Sequence, residues 1–145
     1  MLVRQILLQK PDHAIHSIPP NKTIGEAAQS LAEKRVGALL VASETMPLAG
    51  IVSERDIVRE LGRRGPACLP ERIDGVMTAG VVTCTPADTA VDVLTQMTSG
   101  RFRHMPVVEH GEIVGVISIG DVVKARINEV ESENTAMAEL NAGTA

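Results

Sequence analysis

Two short segments of the 145-residue chain place the same residue types at the same spacing. Gly50-Ile-Val-Ser53-Glu-Arg-Asp56 and Gly115-Val-Ile-Ser118-Ile-Gly-Asp121 both read Gly-x-x-Ser-x-x-Asp. A serine at the boundary between an apolar run and a helix caps the helix, and an acid three residues on favours its positive end. Capping is one account of the motif. The same physics also serves a ligand. A helix start presents unpaired N–H groups to an anion such as a phosphate, and a carboxylate beside it can accept hydrogen bonds from two neighbouring ribose hydroxyls. A small glycine on the strand would let the ligand approach closely. The occurrence of the motif twice, with its spacing intact, favours the ligand reading.

The elements that position these motifs are themselves repeated. Pro20-Asn-Lys-Thr23-Ile-Gly-Glu26 aligns with Pro86-Ala-Asp-Thr89-Ala-Val-Asp92 at an offset of 66, and the two Gly-x-x-Ser-x-x-Asp motifs align at 65. Apolar runs at 14–18 and 81–84 predict a first strand in each copy. Thr23 with Glu26, and Thr89 with Asp92, have capping-box spacing. Ile24, Ala27, Ala28 and Leu31, like Ala90, Val93, Leu94 and Met97, recur with helical period. Two further strands are expected at 38–42 and 48–52, and at 105–108 and 113–117, with Gly111 in the second turn. The closing helices run from Ser53 to about residue 64 and from Ser118 to about residue 128. The unit is β-α-β-β-α, used twice. The expected organisation is a lead-in helix at 1–13, a first repeat at 14–65, a linker at 66–78, a second repeat at 79–127 and an acidic tail at 128–145. A unit of about 60 residues buries too little surface to be comfortable alone, so the two are expected to pack as one pseudo-twofold-symmetric α+β module with two related clefts.

Composition narrows the chemistry. Hydrophobic residues make up 44% of the chain and charged ones 22%, enough for a buried core. Phe102 is the one aromatic ring besides the histidines, with no Tyr or Trp. Stacking platforms for exposed bases and aromatic cages for cations are therefore absent, and the core must be Val, Ile, Leu, Ala and Met. Phe102 itself is expected in the core or in a dimer interface. The net charge of -4 argues against broad binding to nucleic acid or an anionic membrane. Setting aside Glu129, Glu131, Glu133 and Glu139 leaves 14 acidic residues against 14 basic, so the charge resides in the tail. The tail reads either as an acidic helix or as a frayed end, and its thinly spaced Val130, Met137 and Leu140 favour partial disorder. No run approaches a membrane span, and no secretory leader is evident. The chain reads as soluble and cytoplasmic, with Cys68 and Cys84 as reduced, packing thiols.

The two Gly-x-x-Ser-x-x-Asp motifs resemble those of a cystathionine-β-synthase (CBS) domain pair, or Bateman module. Val76-Met-Thr78, Arg103-His-Met-Pro-Val-Val108 and Glu33-Lys-Arg-Val-Gly-Ala-Leu-Leu-Val41 carry the resemblance further, especially to small stand-alone bacterial pairs, and it covers about residues 1–127. It implies tandem CBS repeats in a flat homodimer. It also implies a non-catalytic regulatory module that senses adenosine-containing ligands: AMP, ADP, ATP, sometimes NAD or S-adenosylmethionine. An effector protein is an implied partner; nucleic acid and membrane are not.

In that family each cleft joins the Asp motif of one repeat to the first strands of the other. Carried over, site one takes Ser53, Arg55 and Asp56 with Thr83, Thr85, Arg103 and His104. Site two takes Ser118 and Asp121 with Ser17, Ile18, Val36, Gly37 and Ala38. The resemblance assigns the ribose to Asp56 and Asp121, the phosphate or ribose to Ser53 and Ser118, and the adenine edge to backbone near Thr83 and Ala38. Aliphatic walls such as Ile51, Val36 and Val82 would hold the ring. Arg55, Arg103 and His104 suit site one to a charged phosphate. Arg55, Arg59 and Arg63 also form a helix stripe, read either as a solvated face partnered by Glu60 or as contacts to outer phosphates. No metal ligand set and no catalytic group is expected.

Two other classes remain: a CBS-type interaction module without ligand, and, remotely, a nucleotide hydrolase. The chain lacks a Walker loop and any serine or cysteine beside an evident base. The missing Tyr and Trp supply a direct test. Protein purified free of nucleic acid should show a strong band at 260 nm from a co-purified nucleotide over a negligible 280 nm background. Mass spectrometry of the released ligand would name it, and an empty spectrum counts against a tightly held nucleotide.

Overall fold

The computed structural model describes residues 1–143. Its elements are α1 (Val3–Gln9), β1 (Ser17–Ile18), α2 (Ile24–Lys34), β2 (Ala38–Val41), β3 (Gly50–Ser53), α3 (Glu54–Arg64), α4 (Ala90–Gly100), β4 (His104–Glu109), β5 (Glu112–Ser118) and α5 (Ile119–Gly143). Single 3-10 turns at Gly65–Cys68 and Ile73–Gly75 fill the stretch between α3 and α4. The mixture of helix and strand is α+β, as expected.

The helices start where the capping residues stand. Thr23 Oγ1 accepts from the Glu26 N–H at 3.1 Å, and Thr89 Oγ1 from the Asp92 N–H at 3.1 Å. Both α2 and α4 end on an arginine in the left-handed region, Arg35 at φ 54° and Arg101 at φ 57°. Their backbone N–H groups donate to Leu31 O and Met97 O. In the first copy β1 runs parallel to β2, which is antiparallel to β3. In the second copy β4 and β5 form an antiparallel hairpin. His110 and Gly111 turn that hairpin with positive φ at both positions, which twists the strands in the favoured sense.

Two expectations change. The strand at 81–84 reduces to one parallel bridge, Cys84 with Val107. Cys84 donates to Pro106 O and accepts from Val108 N, but the chain then turns away as the Thr85 N–H bonds Asp88 Oδ2 and Pro86 offers no donor. The tail is helical as far as Gly143 rather than a partly disordered end. No glycine or proline interrupts 121–142, and Glu, Ala, Met and Leu propagate a helix already nucleated at Ser118.

The chain divides into two compact units, and neither coincides with a single repeat. One comprises Met1–Ala14 with Val82–Ala145, the other Ile15–Val81. Each unit therefore contains one β-α-β-β-α copy plus the segment that precedes the other copy. The two segments dock alike. In one unit Leu2 bridges Thr89, Val3 N donates to Asp88 O and Ala90 N to Met1 O. In the other Arg72 bridges Thr23, Ile73 N donates to Lys22 O and Ile24 N to Glu71 O. The pairs Leu2 with Arg72 and Val3 with Ile73 give the lead-ins an offset of 70, while Thr23 with Thr89 keeps 66.

Each core draws on its borrowed segment. Val3 and Ile6 are buried with Val93, Met97, Met105, Val107, Ile117 and Val122; Cys68 and Ile73 are buried with Ile24, Leu31, Leu39, Val41, Val52 and Ile57. Burial of one such aliphatic side chain contributes about 1.5–3 kcal/mol, so each lead-in is part of the core it joins. The cores are aliphatic with methionine and cysteine, and Phe102 packs at the margin of the first.

The motif glycines serve this docking. A Cβ at Gly50 would lie 2.6 Å from Met77 Sδ and 2.7 Å from the Thr78 carbonyl; one at Gly115 would lie 2.7 Å from Leu7 Cδ2. The close approach expected for a ligand is thus made by the chain's own lead-ins. Gly50→Ala and Gly115→Ala should both destabilise by roughly 1–3 kcal/mol. Gly50→Ala should cost more, because backbone at Thr78 cannot rotate away as the end of Leu7 can. Urea unfolding of the two variants measures the order, and equal costs would argue against the Thr78 contact as the cause.

Candidate functional site

Each Gly-x-x-Ser-x-x-Asp motif turns a strand into a helix and closes a reciprocal cap. At the β3–α3 junction the Ser53 N–H and Oγ–H both donate to Asp56 Oδ2, at 2.8 and 3.0 Å, and the Asp56 N–H donates to Ser53 Oγ at 3.3 Å. At the β5–α5 junction the Ser118 N–H donates to Asp121 Oδ2 at 2.8 Å and the Asp121 N–H to Ser118 Oγ at 3.1 Å. Capping and positioning are therefore one arrangement. In both copies one carboxylate oxygen, Oδ2, holds the cap.

The loop before the middle strand lies alongside each junction. In the first copy the Glu54 N–H donates to Gly37 O at 3.0 Å, and Ala38 pairs in register with Ser53. In the second the Ile119 N–H donates to Arg103 O at 2.8 Å, and His104 pairs with Ser118. Val36-Gly37-Ala38 thus adjoins Ser53 and Asp56 in one unit, and Arg103-His104 adjoins Ser118 and Asp121 in the other. Ser17 and Ile18 lie one strand further, paired with Leu40 and Val41, Ser17 exposed and Ile18 buried. Thr83 and Thr85 flank the buried Cys84 and are both exposed. Val82 is exposed, and Ile51 and Val36 are half-buried.

The electrostatics of the two junctions differ. Burial alone would raise the Asp121 carboxyl, but hydrogen bonds from Ser118 and the Lys10 ammonium outweigh it and hold the group below the usual carboxylate range. Lys10 Nζ lies 3.0 Å from Asp121 Oδ2. Asp56 Oδ1 meets Arg59 Nη1 at 3.5 Å, with Arg59 still 62% exposed. Arg63 of the arginine stripe is engaged by Glu60 of its own helix at 3.3 Å, and Glu60 also takes the neighbouring Arg64 at 2.8 Å. Arg55 is exposed. Burial, and then the charge of Asp88, push the Cys84 thiol up to about 12, so it stays protonated and packs as a small apolar group.

Lys10 and Arg59 are the functional neighbours that sequence spacing did not single out as partners of the two aspartates. Arg59 was legible as the i+3 residue of Asp56 on a helix. Lys10 is 111 positions from Asp121, and only the docked lead-in brings the two together.

The family model described as "CBS domain" matches residues 3–63 and 73–128. The chain is 35% identical over 115 residues to the CBS domain-containing protein CBSX3, mitochondrial, of Arabidopsis thaliana; the match covers 77% of this chain and 56% of that protein. The chain thus spans little more than half the length of this curated relative. Among solved structures, a CBS-domain containing protein from Agrobacterium tumefaciens superposes with a TM-score of 0.83 at 40% identity, over 87% of this chain and 99% of that one. A CBS domain protein from Pyrobaculum aerophilum complexed with AMP superposes at 0.71 with 31% identity, over 83% and 89% of the two chains. The CBS domain pair of protein MJ0100, in complex with 5'-methylthioadenosine and S-adenosyl-L-methionine, superposes at 0.72 with 27% identity, over 89% and 98%.

The lowered Asp121 carboxyl has a pH consequence. A carboxyl whose folded value lies below its unfolded one, about 3.8, stabilises the fold above that pH, and the contribution is lost as pH falls through the folded value. Asp121→Asn should therefore be less stable than the parent at pH 7, with the deficit narrowing below about pH 4. Urea unfolding across pH measures it, and a deficit that does not change with pH would rule out the Lys10–Asp121 pair as its source.

Proposed function

Because the chain belongs to the CBS-domain family and carries the domain twice in tandem, we propose that it is a regulatory module that binds an adenosine-containing ligand. The observation that carries this reading is the duplicated junction itself. In both copies the cap takes Oδ2 of the aspartate, which leaves Oδ1, shared at Asp56 with Arg59, to meet a ribose diol at the positive end of a helix. AMP in the complex from Pyrobaculum aerophilum, and the adenosine-bearing ligands of protein MJ0100, support the ligand class.

In this reading Asp56 acts with Ser53 and Arg55, and Asp121 acts with Ser118. AMP, ADP, ATP and NAD are the candidate ligands. Aliphatic walls and backbone groups recognise adenine in a chain almost without aromatic rings. Ligand binding favours one arrangement of the module, which a cytoplasmic homodimer passes to an effector protein. The module performs no catalysis.

A second reading, an interaction module without ligand, is favoured by the caps: Ser53 and Ser118 already account for Asp56 and Asp121 as structural residues. Calorimetric titration of AMP separates the two. In the nucleotide reading AMP binds the unsubstituted protein, Asp56→Ala removes the tighter site, and saturation near 100 times Kd stabilises the fold by about 2.7 kcal/mol. If Asp121→Ala abolishes the tight site and Asp56→Ala spares it, the assignment of site one is wrong. No heat and no melting shift with any adenine compound would leave the ligand-free reading.

A further inference from the structure

The two junctions are equivalent in backbone and unequal in what stands behind the carboxylate. At the end of the first lead-in, the Lys10 ammonium lies 3.0 Å from Asp121 Oδ2 and also donates to the Val116 carbonyl on β5. The Lys10 side chain is 22% exposed and that of Asp121 25%, so the pair is largely withdrawn from water. The lead-in offset of 70 aligns Lys10 with Gly80, which has no side chain to offer. In that unit the Ile51 carbonyl, the counterpart of Val116, accepts from the Thr78 N–H instead. Asp56 meets only the longer, more exposed contact to Arg59 described above.

Resting on the adenosine-ligand reading, we propose that Lys10 makes the Asp121 motif select nucleoside phosphates over the neutral nucleoside. A ribose that takes Asp121 Oδ1 draws on the carboxylate whose other oxygen, Oδ2, already holds the Lys10 ammonium. A neutral nucleoside brings no anion of its own to this largely buried cation while it competes for the carboxylate that compensates it. A ligand with a phosphate brings an anion of its own, with which Lys10 can form a charge-assisted hydrogen bond. The Asp56 motif has Gly80 at the aligned position and so lacks a lead-in cation; any preference for phosphate there rests on its own arginines. Lys10 is thus a specificity-determining residue for one of two otherwise matching motifs.

The test isolates the Asp121 motif in an Asp56→Asn background, where the amide oxygen still accepts the Ser53 cap. AMP and adenosine are titrated calorimetrically into this protein and into the same protein carrying Lys10→Met. Removal of Lys10 should lower the ratio of AMP to adenosine affinity by about tenfold, and Lys10→Arg should retain the ratio. Lys10→Gln, which keeps a donor for the Val116 carbonyl, replaces Lys10→Met if the latter fails to fold. An unchanged ratio overturns the proposal while leaving the nucleotide reading intact. If Asp56→Asn binds neither ligand although the unsubstituted protein binds AMP, the Asp121 motif is not a site, and the proposal alone falls. If the unsubstituted protein binds neither, the nucleotide reading fails and takes the proposal with it.

Discussion

The structure depends on one constraint: neither β-α-β-β-α copy closes its own core. The helix starts at Ile24 and Ala90 give their first N–H groups to carbonyls of a segment that precedes the other copy. Gly50 at the head of β3 and Gly115 in the middle of β5 are covered by Met77 and Leu7 from those same segments. Val3, Ile6, Cys68 and Ile73 then complete two aliphatic cores that the copies alone would leave open. An exposed strand edge and an open apolar face are both unfavourable in water, and the exchanged lead-ins cover them in each unit. Connectivity in this protein is therefore part of packing. A chain with one copy and its own lead-in would have the right residues in the wrong place.

The Ser-x-x-Asp junctions inherit their geometry from this constraint. Strand β3 is held on one side by β2 and on the other by Thr78, so the position of Ser53 is defined from both edges before α3 begins. On β5 the hairpin with β4 sets Ser118 opposite His104, and Lys10 reaches over the outer edge to Val116 and Asp121. The reciprocal caps lock the serine and aspartate against the helix start. Capping and ligand recognition are usually offered as rival explanations of such a motif. Here the carboxylate has two oxygens, and the cap occupies one of them.

Much of the fold was legible in local sequence. Thr23 and Thr89, with acids three residues on, announce α2 and α4 because a cap depends only on neighbours in the chain. The 3.6-residue recurrence of Ile24, Ala27 and Leu31 marks the buried face for the same reason. The second and third strands of each copy and the turn at Gly111 were equally readable. The strand at 81–84 was overstated, because apolar residues predict strand propensity but not whether a partner backbone is in reach beyond Cys84. The tail was understated, because thin apolar spacing speaks to packing, whereas the helix to Gly143 needs only a nucleated start and no breaker. At the site, the aspartates and serines were legible through duplication, and Arg59 through helix spacing.

What the sequence by itself determined is the repeated unit, its caps and the two acidic junctions, all of which rest on interactions within a few residues. Only the tertiary structure decided which lead-in serves which copy. It also showed that Gly50 and Gly115 make room for Met77 and Leu7 rather than for a ligand, and that Lys10 stands behind Asp121 where Gly80 occupies the aligned position. The physical reason is separation along the chain. Lys10 and Val116 are 106 residues apart, and no local periodicity or spacing encodes a contact that forms only when an aliphatic core has drawn the two segments together.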